Sequence, residues 1–171
     1  IISKYRGAND TIKYKQSITT LLFLSALFSI IISVLGIIFS KHILIFMNVP
    51  KESFNYAYEY IRIIFSGVFL IFLYSSISSV IKSSGKEKVS LCFIIIASIT
   101  NILLDFLFVY VLKLSVKGAA FATVISQFLS FLLSLYFIRK DIVFSIDIKI
   151  IKELILISFP CIFQMLIINI S

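Results

Sequence analysis

The chain has 171 residues, of which 60% are hydrophobic and only 14% charged, with a formal net charge of +8 and a mean hydropathy of +1.11. That balance excludes a soluble domain, which buries one core beneath a charged shell. Apolar runs long enough to cross roughly 30 Å of hydrocarbon recur along almost the whole sequence, so the solvent for most of this chain is lipid.

Charged residues punctuate five apolar segments, approximately 17–40, 55–81, 89–112, 119–138 and 154–171. Each is expected to be helical, because backbone amides in hydrocarbon must be satisfied within their own segment and none of these runs alternates like a barrel strand. The predicted fold class is all-α and polytopic. Residue 1 is Ile, and the chain stops at Ser171 within an apolar run, so it is expected to be a piece of a longer chain whose remaining helices complete the fold.

The first loop carries Lys4, Arg6, Lys13 and Lys15, the 82–88 loop Lys82, Lys86 and Lys88, and the 139–153 loop Arg139, Lys140, Lys149 and Lys152. The alternate loops hold only Lys41, Lys51, Lys113 and Lys117. The richer side is expected to be cytoplasmic. The asymmetry and contact with anionic headgroups account for the positive charge, so no nucleic-acid partner is implied. In the second segment Glu59 and Arg62, three residues apart, are expected to pair at the interface, and Tyr56, Tyr58, Tyr60 and Tyr110 to serve as interfacial belt anchors. Ser75, Ser76, Ser78 and Ser79 read as helix-packing residues, whereas the 18 Phe read mainly as lipid-facing bulk.

The third segment holds one acid, Asp105, among Ile, Leu, Phe, Val and Tyr. A carboxylate near a helix centre costs about 2.5–3.5 kcal/mol to insert, so Asp105 should face the bundle interior or a wet cavity. Asn101, four residues earlier, lies on the same helix face. In the next segment Gly118, Ala119 and Ala120 permit close helix approach, and Thr123 and Gln127 stand one turn apart on one face. At 1.5 Å per residue, Asp105 and Thr123 are roughly 10 and 6 Å deep from the same side. Asn101, Asp105 and Thr123 can therefore converge into an oxygen-rich site for a proton or a hard monovalent cation. The residues alone leave a second reading open, in which Asp105 is structural and bonds Asn101 or pairs with Arg62.

The 139–153 loop is the one candidate seam between bundles, and its DIVFSIDIKIIKE stretch reads as a short interfacial amphipathic helix. In the last segment Gln164 and Asn169 are weaker candidates for a substrate cavity. Cys92 and Cys161 read as small buried hydrophobes, and His42 is the only histidine. With neither a metal-ligand pattern nor a nucleophile–base pair, no catalytic residue and no cofactor is assigned, and enzymatic activity is not expected.

Several local patterns occur in an order that resembles the multidrug and toxic compound extrusion (MATE) family of antiporters: ISKYRGAND, YEYIRIIFSG, SSVIKSSGKEKV, NILLD, VKGAAFATVISQ and SFPCIFQ. The resemblance implies a two-bundle, twelve-helix fold. Residues 1–138 would form most of the first bundle, 139–153 a cytoplasmic linker, and 154–171 the start of the second. Pro160, flanked by Ser158 and Cys161 where the family usually has Gly and Ser, would sit at the start of the seventh family helix. The family's cation site falls on Asn101, Asp105 and Thr123, with H⁺ or Na⁺ as coupling ion and no metal beyond such a Na⁺ at Asp105. A further acid on the family's first helix has no counterpart in this sequence. The implied function is export of small amphipathic, often cationic drug-like compounds by alternating access in a bacterial or archaeal plasma membrane. A lipid-linked saccharide flippase of the same superfamily and a non-transporting scaffold are the alternatives.

Overall fold

The computed structural model describes residues 1–143 and 145–170, and for 161–163, 165, 166, 169 and 170 the backbone helix alone. A short helix α1 (Ile2–Gly7) precedes α2 (Thr11–Phe46), α3 (Lys51–Ser83), α4 (Glu87–Asp105), α5 (Ser115–Ile138) and α6 (Ile148–Ile170). Beyond Asp105, α4 continues without a break as a π-helical stretch, Phe106–Val111. Four of these helices, α2 to α5, are long and apolar enough to cross a membrane.

The helices outrun the apolar segments, since hydropathy marks the hydrocarbon slab whereas backbone hydrogen bonding carries a helix on into the headgroup region. Thus α2 spans 36 residues, about 54 Å at 1.5 Å per residue. Local chemistry sets the real ends. The Asp10 carboxylate accepts from the Lys13 amide at 3.0 Å and caps α2. Gly85, at φ +72°, closes α3, with the Lys86 amide reaching back to the Ile81 carbonyl at 3.1 Å.

Helix α3 packs against α2 on one side and α5 on the other, α4 flanks α5, and α6 rests on α2. The order across the bundle is therefore α2, α3, α5, α4, and α4 lies beyond α5 although only a short turn separates it from α3. Side-chain size explains the arrangement. Gly118, Ala122, Ser126, Ser130 and Ser134 recur every four residues along α5 and are all buried, so backbones approach closely. Gly67 of α3 lies directly against Val124, and the Phe65 ring covers Gly36 of α2. Hydroxyls bond across the same seams, Ser25 to Ser76 at 2.6 Å and Ser78 to Ser90 at 2.6 Å. This is the packing role expected of Ser76 and Ser78, whereas Ser75 and Ser79 are exposed.

The best-buried apolar cluster, Ile18, Ile77, Val80 and Ile81 with Ile2, Tyr14 and Ile138, sits at the Lys/Arg-rich end. All three basic loops meet there. The Tyr14 hydroxyl bonds Ser84 at 2.8 Å, Lys15 donates to the Lys140 carbonyl at 3.0 Å, and Lys86 lies over the Phe137 ring. Elsewhere, exposed side chains are overwhelmingly Ile, Leu, Val and Phe, a surface compatible only with lipid.

Four expectations are corrected. The 141–153 stretch is not a separate amphipathic helix. It is a strap held to α2, with the Val143 amide donating to Thr19 at 3.1 Å and Gln16 to Ser145 at 3.0 Å, followed by the first turns of α6 from Ile148. Consequently Pro160 lies inside α6 rather than at its start. Cys92 is exposed, because no helix among the described residues lies beside its face of α4; the side chain of Cys161 lies outside the described residues. Glu59 pairs with Lys117 of α5 at 2.9 Å, while Arg62 stacks on the Tyr58 ring at 5.5 Å, since α3–α5 contact offers Glu59 a better-placed cation than its own helix does.

The α3–α5 seam yields a direct test. Gly67→Leu must displace Val124 and is expected to cost about 1–3 kcal/mol, read as a fall of several degrees in the detergent thermal midpoint. Gly7→Ala, with open space around it, should leave that midpoint unchanged.

Candidate cation site and apolar cavity

Asp105 occupies the last α-helical position of α4, immediately before the π stretch. Gly118 of α5 faces the Phe108 backbone, which sets the register of the antiparallel pair. Counting back along α4 and forward along α5 from that contact puts Thr123 level with the turn between Asn101 and Asp105. All four polar residues, Asn101, Asp105, Thr123 and Gln127, are half-buried.

Their hydrogen bonding is unusual for buried groups. Asn101 Nδ2, Asp105 Oδ1 and Gln127 Oε1 are shielded from solvent and have no partner, against a strong general tendency of buried polar atoms to be paired. Thr123 donates to the Ala119 carbonyl at 3.0 Å, which leaves its oxygen lone pairs free. The structural alternative for Asp105 is not realised: it bonds neither Asn101 nor Arg62, whose guanidinium is on Tyr58. The four side chains supply a carboxylate, a hydroxyl and two carboxamides, of which Gln127 has its oxygen and Asn101 its nitrogen shielded, with one formal negative charge in all. That set fits a proton or a monovalent cation and is too weakly charged for a divalent one. No group of three His, Cys, Asp or Glu side chains occurs among the described residues.

A second feature is an apolar cavity of about 660 Å³ between α2, α3 and α6, whose walls include Leu24, Phe28, Phe72, Ser76, Leu154 and Phe159. The sequence could name no particular ring for such a pocket; three Phe from three helices line this one. Gln164 is exposed and not in its wall, Gln127 belongs to the Asp105 side of the bundle, and the Asn169 side chain lies outside the described residues.

Comparison with known proteins decides the family. The MatE family profile matches residues 1–107. This chain belongs to the MATE family. It is 31% identical over 140 residues to a probable multidrug resistance protein, YpnP, of Bacillus subtilis, covering 82% of this chain and 32% of that protein. A multidrug export protein, MepA, of Staphylococcus haemolyticus is 29% identical over 149 residues, covering 86% and 33%. Among solved structures, an inward-facing multidrug resistance MATE transporter superposes with a TM-score of 0.84 at 24% identity, over 93% of this chain and 38% of that one. An outward-facing MATE transporter gives 0.82 at 26% identity, over 88% and 36%. The chain thus spans about a third of the length of the relatives it matches, and it is an integral, multi-pass membrane segment of the MATE fold.

Because the Asp105 carboxylate has no protein partner, its replacement should be cheap. Asp105→Asn is expected to change unfolding stability by less than about 1 kcal/mol, whereas breaking a buried ion pair costs about 3–5 kcal/mol. A matched pair of thermal unfolding curves separates the two.

Proposed function

We propose that this chain is the cation-coupling part of a secondary transporter that exports small amphipathic or cationic compounds across a bacterial plasma membrane in exchange for H⁺ or Na⁺. The observation that carries the reading is the unpartnered Asp105 carboxylate, one helical turn from Asn101 and level with Thr123 on the facing helix, within a membrane span. A carboxylate within a span and without a fixed counter-ion leaves room for a proton or Na⁺ to supply the missing compensation. Exchange between them, as the site opens alternately to each side, couples the ion gradient to export. The names of the bacterial relatives support the multidrug character of the substrates.

On this reading residues 1–138 are most of the first bundle, 139–153 the cytoplasmic linker and 154–171 the start of the second bundle. The phenylalanine-lined cavity faces α6 across that division, and its apolar walls suit the hydrophobic portion of a substrate, with ring faces available to a cationic one.

The test is gradient-driven efflux of a fluorescent cationic dye from vesicles containing the full-length chain. Asp105→Asn is expected to lower efflux at least about tenfold, a loss of roughly 1.4 kcal/mol or more of coupling, with dye binding retained. Running the assay with a pH gradient alone and then a Na⁺ gradient alone identifies the ion. Efflux by Asp105→Asn at the wild-type rate would sink the proposal, and absence of dye efflux in either protein would favour the flippase or scaffold alternative.

A further inference from the structure

At the Lys/Arg-rich end the loops surround a cavity of about 290 Å³, separate from both the Asp105 site and the phenylalanine-lined cavity. Its walls include Tyr5 and Arg6 of α1, Tyr14 and Lys15 from the start of α2, Lys86 from the turn between α3 and α4, and Asp141 just after α5. Membrane-length helices begin at Thr11 and Glu87 and end at Ser83 and Asp141. The cavity therefore lies where the chain leaves the hydrocarbon, at the level of lipid headgroups.

Its three cations are held by neutral groups. Arg6 donates to the Tyr14 hydroxyl at 3.3 Å and its guanidinium lies over the Tyr14 ring, while that hydroxyl is fixed in turn by Ser84 at 2.8 Å. Lys15 donates to the Lys140 carbonyl at 3.0 Å, and the Lys86 ammonium stands 5.0 Å from the centre of the Phe137 ring. No carboxylate pairs with any of the three, since the ion pairs among the described residues are Lys4 with Glu153, Lys13 with Asp10 and Lys117 with Glu59. Two acids share the wall. Asp10 is taken up by Lys13 and by the cap of α2, and Asp141 forms no ion pair among the described residues. Carbonyls and rings orient a cation without cancelling its charge, and a guanidinium with five N–H donors or an ammonium with three has donors left for an anion.

We propose that this cavity binds the headgroup of an anionic phospholipid in the cytoplasmic leaflet, with Arg6, Lys15 and Lys86 converging on its phosphate. Phosphate chemistry alone would serve a free ion equally; the surroundings favour the lipid. Ile12, in the same first turn of α2, is 70% exposed and offers apolar contact to an acyl chain, for which a free ion has no use. Tyr5 and Tyr14 present the amphipathic rings that suit the interface between headgroups and hydrocarbon. Binding here is independent of the coupling role of Asp105, because it is measured without transport.

The experiment titrates the full-length chain in neutral detergent with a short-chain phosphatidylglycerol and follows the thermal midpoint of unfolding, which a ligand of the folded state raises. A rise of several degrees is expected, with little or no change from phosphatidylcholine of the same chain length or from inorganic phosphate. Arg6→Gln and Lys15→Gln should each weaken the apparent affinity about fivefold, the contribution of one basic residue at an anionic surface. Asp141→Asn removes a negative charge from the wall and should strengthen it. Lys149→Gln and Lys152→Gln remove the same charge as the cavity variants, also from a basic loop but outside the wall, and should change the affinity less than about twofold. Equal losses from the cavity and control variants would overturn the proposal, because the attraction would then be diffuse. An absent response to phosphatidylglycerol would do so as well, and a matching response to inorganic phosphate would make the ligand a free ion. Arg6→Gln also removes a bond to Tyr14; should that variant not accumulate, Lys15→Gln, whose partner is an exposed carbonyl contact, decides.

Discussion

Close approach of backbones along α5 is the constraint from which the rest follows. In lipid there is no hydrophobic drive to bring helices together, so association depends on van der Waals contact and hydrogen bonds, both of which require short distances. The repeat of Gly118, Ala122, Ser126, Ser130 and Ser134 provides them. It makes α5, rather than the sequence-adjacent α4, the partner of α3. It also puts Gly118 against the main chain of Phe108 and Gly67 against Val124. Larger residues at these positions would push α3 and α4 away from α5.

The two ends of the bundle solve different problems. At the basic end, apolar contacts around Ile18 and Ile77 are overlaid by hydrogen bonds that tie three loops together, and Glu153 of α6 is held by Lys4 at 3.3 Å and Tyr5 at 3.2 Å. That end is cross-linked by groups distant in sequence. At the opposite end one exposed ion pair, Glu59 with Lys117, spans α3 and α5, and exposed pairs contribute only about 0–1 kcal/mol.

The all-α fold class, four of the five expected spans and the gathering of the basic loops at one end were legible because each depends on composition over many residues. The partial burial of Asp105 and Asn101 was legible for a related reason: one acid in an apolar run is a large signal, and the spacing to Asn101 places both on one helix face. Less legible was everything set by contact between helices. Arg62 is the nearest cation to Glu59 in sequence, yet the packing of α3 on α5 delivers Lys117. Cys92 has the hydropathy of a core residue and is exposed because no helix covers that side of α4. Pro160 looked like a helix start, as proline often does, but α6 begins twelve residues earlier, at Ile148. The π turn left no compositional trace, since FLFVYV is as acceptable to an α-helix as to a π-helix.

The partners of the cations bear on the coupling proposal. A buried carboxylate near a guanidinium normally forms a fixed pair, and removing either member then leaves an uncompensated charge. In this bundle two cations of the upper half are otherwise engaged, Lys117 with Glu59 and Arg62 on Tyr58, and no ion pair reaches Asp105 among the described residues. Under the proposed function this is what an exchange site requires, because an acid neutralised by its own protein would have little to gain from binding a proton or Na⁺.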